Sequence, residues 1–238
     1  MGLLAGVSYF FQALSMLISS PSLLIKALIP ALVALGLSVG LTTLGASYSD
    51  ELTQWLLPNA GDGGWLSALV SWSSSIMIGL LSFLITPFLV VLVGLPLCEP
   101  LASTAHEQLG GAEVEVPFMT SLTSGLTLGL KVALIALLGS LALMLIGLIP
   151  PLGLFTAPFT LLVWAPFWLT FDLCEVVHTR ANLSFSERSR QLRSQLLSTL
   201  SVGLVAALLI APPFINLVGF PIAVLMGTIH ARRLEVSA

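Results

Sequence analysis

Between Ser198 and Ile229 the chain runs for 32 residues without a charge. Arginines close both sides: Arg188, Arg190 and Arg193 before it, Arg232 and Arg233 after it. Arginine-rich flanks stay on the cytoplasmic side of a membrane. With both flanks held there, the segment crosses an even number of times. Two complete crossings need roughly 40 apolar residues plus a turn, at about 20 per span. The run is too short for that, and Pro212, Pro213 and Pro221 interrupt it. The pattern predicts a helical hairpin that dips into the bilayer and returns without emerging. Such backbone is tolerated only where protein or a water-filled cavity covers it, so a transport or conduction protein is its natural setting.

The rest of the chain agrees with a bilayer. Only 8 % of its residues are charged and 57 % are apolar, whereas a soluble domain carries about 25 % charged residues. No polar linker divides the 238 residues, so the expectation is one polytopic, all-α membrane domain. A net charge of -3 with scattered basic residues excludes nucleic acid as a partner. Cys98 and Cys174 both fall in segments read as cytoplasmic, where thiols stay reduced. Met1-Gly2-Leu3-Leu4 lacks the basic region of a cleavable signal peptide.

In chain order, Leu3 to Ser19 carries Ser8, Gln12, Ser15 and Ser19 at helical spacing, which fits an interfacial helix lying along the membrane or a plain buried one. Ser20-Pro21 ends it. Leu23 to Ala46 is a span, kinked at Pro30, with Lys26 near its start. Ser47 to Trp65 has acids but no Lys or Arg and reads as a non-cytoplasmic loop. Leu66 to Leu97 is the second long transmembrane helix. Gly110-Gly111 stops a short helix on the cytoplasmic side.

Ser121 to Thr170 then runs 50 residues with one charge, Lys131, and is divided at Pro150-Pro151. It reads as a second Pro-broken hairpin, in which two complete spans would just fit and a hemi-penetrating pair like the last is the other reading. The two Pro-Pro breaks read equally as a repeat of interrupted helices, the kind that marks a transport site, or as chance. Ser184, with Glu187 three residues on, predicts a capped cytoplasmic helix running to Gln195.

Several spacings together resemble one family. Gly6-x-x-Tyr9-Phe10-x-Gln12, then Leu17-Ile18-x-x-Pro21 and Leu28-Ile29-Pro30, look like the opening of the CysZ-type sulfate permeases, which belong with the etoposide-induced membrane proteins. The resemblance continues at Pro96 to Ala102, Ile149-Pro150-x-x-Gly153, and Arg180-x-x-Leu183-Ser184-Phe185-x-Glu187-Arg188. It ends at Pro213-x-x-Asn216-Leu217-x-x-x-Pro221-x-Ala223-Val224. It implies a bacterial inner-membrane protein with two long transmembrane helices, two pairs of hemi-penetrating helices, homo-oligomeric assembly, and sulfate uptake for cysteine synthesis. The family's Gly-Leu-Arg motif, tied to sulfate binding, is here Ser22-Leu23-Leu24, so its arginine is missing. Its Asp-Tyr-Pro is here Glu175-Val176-Val177.

The chemistry follows from few residues. Helix N-terminal N–H groups bind anions without an arginine, so Ser22, Leu23, Leu24 and Lys26 are the candidate anion site. The competing reading is a plain N-cap with a snorkelling lysine. Lys26 sits about 200° around the helix from position 24, at ~100° per residue. Lys131, ten residues inside an apolar run, calls for a partner or a wet cavity. Glu99 and Glu175 are its candidate partners, and Arg180 completes a possible charge network. Arg180, Arg188, Arg190 and Arg193 read as residues that set topology and face the cytosol. No catalytic motif is present, the scattered Cys and His residues do not make a metal site, and nothing calls for a cofactor. The leading function is anion transport through the lipid bilayer, sulfate first. The alternative is a non-transporting membrane scaffold or stress-related protein of the same fold.

Overall fold

The computed structural model describes residues 2–56, 72–73, 97–112 and 118–237, all helix and connecting turns without a strand. The expected span over 66–97 lies outside the described residues apart from 72–73 and 97. Helix α1 (Ala5–Ser19) meets α2 (Pro21–Leu56) at Ser20. Then come α3 (Glu99–Gln108) and α4 (Phe118–Gly147). Next is α5 (Gly153–Phe159), which passes through a π-helical turn, Thr160–Trp164, into α6 (Ala165–Leu173). The chain ends with α7 (Glu175–Arg180), α8 (Phe185–Ser194), α9 (Leu196–Ile210) and α10 (Pro213–Ser237).

The last hairpin is the hub. From Gly219 to Ala231 every residue of α10 is buried, so protein covers this stretch of the helix on all sides. Phe220, Leu225, Met226 and Ile229 sit in one core with Tyr9, Ala13, Leu101, Ala102 and Val202, drawn from α1, α3 and α9. In a bilayer, lipid tails are as apolar as leucine, so helices associate through close packing and polar contacts rather than through the hydrophobic effect. Both are present here. A Cβ added at Gly203 on α9 would lie 2.0 Å from the carbonyl oxygen of Pro166, so only glycine lets α6 and α9 approach this closely. Gly6 of α1 comes equally near Ser201 and donates its N–H to the Ser201 Oγ at 2.9 Å. Thr170 Oγ1 reaches the Thr199 carbonyl at 2.9 Å, and the Thr199 hydroxyl reaches the Leu192 carbonyl at the same distance. With that proton committed, His230 Nε2, 3.0 Å away, is the donor to Thr199 Oγ1.

The two arms of the hairpin around Pro150-Pro151, Thr127–Gly147 and Gly153–Leu173, are long and apolar enough to cross a membrane, at 21 residues each. At ~1.5 Å per residue each covers about 31 Å, close to the hydrocarbon thickness. Length therefore does not make this hairpin hemi-penetrating. Its outer face bears Leu134, Leu138, Leu141, Leu145, Leu154 and Leu161, all exposed as lipid-facing side chains are. Trp164 Nε1 ties the arms together through the Ala136 carbonyl at 3.1 Å. By contrast α9 has 15 residues, about 22 Å at ~1.5 Å each.

Helix α2 differs from the sequence expectation. It runs unbroken over 36 residues through Pro30 and on to Leu56, so Ser47–Leu56 is helix rather than loop. No Gly or Pro stands between Ser47 and Leu56 to stop it, and Ser47 Oγ donates back to the Thr43 carbonyl at 2.9 Å within the helix. The helix therefore extends beyond a bilayer's thickness, to about 54 Å at ~1.5 Å per residue. The polar positions of α1 fall as the sequence pattern has them. Ala5, Tyr9, Ala13 and Leu17 are buried, and Ser8, Ser15 and Ser19 are exposed. Cys98 and Cys174 are buried free thiols.

Candidate functional site

The chain turns 105° between α1 and α2. Pro21 begins α2, and the Leu23 and Leu24 N–H groups both donate to the Ser20 carbonyl at 3.1 Å. Ser20 and Ser22 share a hydrogen bond between their hydroxyls at 3.0 Å, and Gln108 Nε2 donates to Ser20 Oγ at 3.2 Å. Leu23 is fully buried, while Ser22 and Leu24 are exposed. Lys26 sits between those faces and its Nζ donates to Thr104 Oγ1 of α3 at 2.5 Å. Ser22 and Lys26 thus lie on one corner of the molecule, but the ammonium is turned toward α3 rather than toward the exposed position 24.

The charge network divides differently from the sequence expectation. Lys131 meets no carboxylate at ion-pair distance among the described residues. Its Nζ lies 4.6 Å from the ring centroid of Phe185. A cation over an aromatic face is attracted by the ring quadrupole, and the side chain is exposed, which removes the need for a buried acid. Arg180 instead pairs with Glu107 at 3.8 Å. Glu175, half-buried on α7, is the acid that feels both neighbours. Burial pushes its carboxyl up to about 7, Arg188 pulls it back, and Glu99 adds to the rise. Arg188 is itself buried, held by Nε to the Leu183 carbonyl at 2.8 Å and by Nη2 to Thr179 Oγ1 at 3.2 Å. Glu175 thus feels the charges of Arg188 and Glu99 without an ion pair to either among the described residues, Arg180 and Glu107 form a separate pair, and Lys131 lies over Phe185.

Beside them, burial drives the His178 imidazole down to about 3, with Arg188 and His230 adding to the fall, so the ring is neutral. Sequence reasoning assigned Arg188 to topology alone. Its contact with Thr179 has a visible signal only in retrospect, because the two are nine residues apart across a turn. That turn is made by Asn182 at φ 51°.

Two expected helix ends are well defined. Ser184 and Glu187 form the reciprocal capping box of α8, with the Ser184 N–H to Glu187 Oε2 at 2.8 Å and the Glu187 N–H to Ser184 Oγ at 3.4 Å. Helix α3 stops at Gly110, in the left-handed region at φ 78°. The Gly111 N–H returns to the His106 carbonyl and the Gly110 N–H to the Glu107 carbonyl, both at 2.9 Å, the Schellman arrangement.

A family model described as sulfate transporter CysZ/etoposide-induced protein 2.4 matches residues 9–221, nearly the whole chain. The chain belongs to this family. The match includes the α1–α2 corner, both Pro-Pro hairpins and the Glu175–Arg188 region, so the membrane fold and the transporter-type family are properties of the same residues. A search of curated proteins found no match. Membership of the CysZ/etoposide-induced family makes this a helical membrane protein of a transporter-type family.

Proposed function

We propose that the chain passes a small inorganic anion, sulfate first, across a bacterial inner membrane with both termini cytoplasmic, feeding sulfur assimilation toward cysteine. The observation that carries this reading is the pair of sharp bends. The chain turns 105° into α2 and 98° into α9, and each bend leaves the start of a new helix at a corner instead of inside a continuous one. Helix N-termini are electropositive, and broken helices in membrane transporters aim them at anionic substrates. The buried stretch of α10 from Gly219 to Ala231 agrees, because backbone that enters a bilayer without crossing it needs protein around it. On this reading the anion site is the corner of Ser22, Leu24 and Lys26, and the protein works as a homo-oligomer.

Uptake of labelled sulfate by cells lacking their own sulfate permease tests the proposal. Accumulation above an empty-vector control is the expected result. No uptake with the protein present in the membrane overturns the sulfate version.

One observation favours a second reading, a scaffold of the same fold that moves no ion. Leu24 stands where the family carries arginine, and Lys26 is hydrogen-bonded to Thr104. Purified protein in liposomes separates the two, since the scaffold gives no anion flux.

A further inference from the structure

The end of the molecule where residues 2 and 237 meet holds a cleft of about 870 Å³. Its walls come from α1, the corner between α8 and α9, and the last turns of α10. Arg193, Arg232 and Arg233 line it, and among the described residues no Asp or Glu does. Three of the eight basic residues in a chain that is only 8 % charged therefore converge on one concavity. Like charges brought together raise the local potential and concentrate counter-ions.

The three guanidinium groups are not equally occupied. Arg232 is spent on structure, with Nη1 on Glu235 at 3.0 Å and Nη2 on the Gly110 carbonyl. Arg233 is held in place by Gln12 Oε1 at 3.2 Å and by the Tyr9 ring, 4.7 Å from its centroid. Arg193 is exposed, touches only the edge of cation–π range at 6.0 Å from Phe167, and has no carboxylate at ion-pair distance among the described residues. On the same wall the first turn of α9 begins at Leu196, and the side chain of its N-cap residue Gln195 caps none of its backbone N–H groups, its Oε1 accepting from the Ser198 hydroxyl at 3.4 Å.

We propose that this cleft binds a tetrahedral oxyanion, a sulfate or phosphate group, on the guanidinium fork of Arg193, with Arg232 and Arg233 adding positive charge to the same walls. A planar guanidinium offers paired donors that match two oxygens of such a group, and the start of α9 adds its dipole. The group is either a free ion or the phosphate of an anionic lipid headgroup. The inference rests on the anion reading above only for the choice of sulfate as a probe.

The test uses the full chain, purified in a neutral detergent at low ionic strength. Labelled sulfate binding is compared among the wild type, Arg193→Gln, Arg193→Lys and Arg190→Gln, with circular dichroism confirming the fold. A charge-assisted hydrogen bond is worth about 1.5–3 kcal/mol, so Arg193→Gln weakens binding about tenfold or more. Arg193→Lys recovers part of the loss. Arg190→Gln, an equal charge change off the lining, leaves binding as it was.

A parallel arm measures thermal stabilisation by dihexanoyl phosphatidylglycerol against dihexanoyl phosphatidylcholine. Stabilisation by the glycerol lipid that depends on Arg193, without sulfate binding, assigns the site to a headgroup. Binding of neither probe, or binding indifferent to Arg193→Gln and Arg193→Lys alike, overturns the proposal. Sulfate binding without cellular uptake sinks the transport reading and leaves the cleft standing. Uptake without binding at Arg193 does the reverse.

Discussion

Arg232 near the end of α10 holds the carbonyl oxygen of Gly110 at 2.6 Å from its Nη2, and so fastens the hub helix to the end of α3. The last carbonyls of a helix have no partner within it, and a cation there also meets the negative end of the dipole. Arg232 supplies both remedies across 122 positions of sequence.

Replacing Arg232 with Gln removes a charge-assisted contact and is expected to lower unfolding stability by about 1–3 kcal/mol. Amide exchange at His106–Gly111 should accelerate in the variant, while exchange in α4 stays as it was. Uniform acceleration everywhere, or none, would show that the contact does not hold α3.

The approach of α6 to α9 gives a sharper prediction. At Gly203 a methyl group would meet backbone, the Pro166 carbonyl, which has no side-chain freedom with which to yield. Gly203→Ala is expected to cost about 1–3 kcal/mol, in the range of overpacked cores. Gly36→Ala is the control. An added Cβ there has nothing within 4 Å, and exchange of glycine for alanine within a helix is favourable by up to about 1 kcal/mol. The two variants should move the melting temperature in detergent in opposite directions.

Glu175 and His178 set opposing pH dependences. The Glu175 carboxyl is raised from 4.5 to about 7 by burial, so the folded state binds more protons between those values and stability falls as pH rises through them. His178 is lowered from 6.5 to about 3 by burial, so the unfolded state binds more protons and stability rises with pH up to about 6.5. Between pH 4.5 and 6.5 the two offset each other. Relative to the wild type, the melting temperature of Glu175→Gln should therefore rise more steeply with pH across that window, and that of His178→Asn less steeply. Parallel profiles in the two variants would refute the assignment.

What could be read from the sequence follows the range over which each signal acts. The capping box at Ser184, the stop at Gly110-Gly111 and the helix breaks at the Pro-Pro pairs depend on residues a few positions apart, and all three stand in the structure. The length of α2 was misjudged because the absence of positive charge places a segment on one side of a membrane without saying whether it is helical. The charge network needed distances between elements. Lys131 was assigned an acid because a charge in an apolar run needs compensation, yet an aromatic ring from α8 and exposure suffice. Arg193, Arg232 and Arg233 were visible as flanks of an uncharged run, but their convergence on one cleft depends on the 98° turn at Gln195, which has no local signature beyond the end of α8.

The α1–α2 corner can be asked directly whether it retains an anion site. Leu24 is 48 % exposed in the first turn of α2, so an arginine there has room to extend without disturbing Leu23, which is buried. A cation near a helix N-terminus opposes the dipole and costs about 0.3–1 kcal/mol, so Leu24→Arg should lose a little thermal stability. A bound dianion would reverse that cost. The measurement is labelled sulfate binding by Leu24→Arg in an Arg193→Gln background, which separates this corner from the arginine cleft. A working corner gives binding about tenfold above the background variant, as one added charge-assisted contact allows, together with recovery of melting temperature on addition of sulfate. Stability that falls in Leu24→Arg and is not restored by sulfate would mean that the other groups of the family's anion site are missing here too.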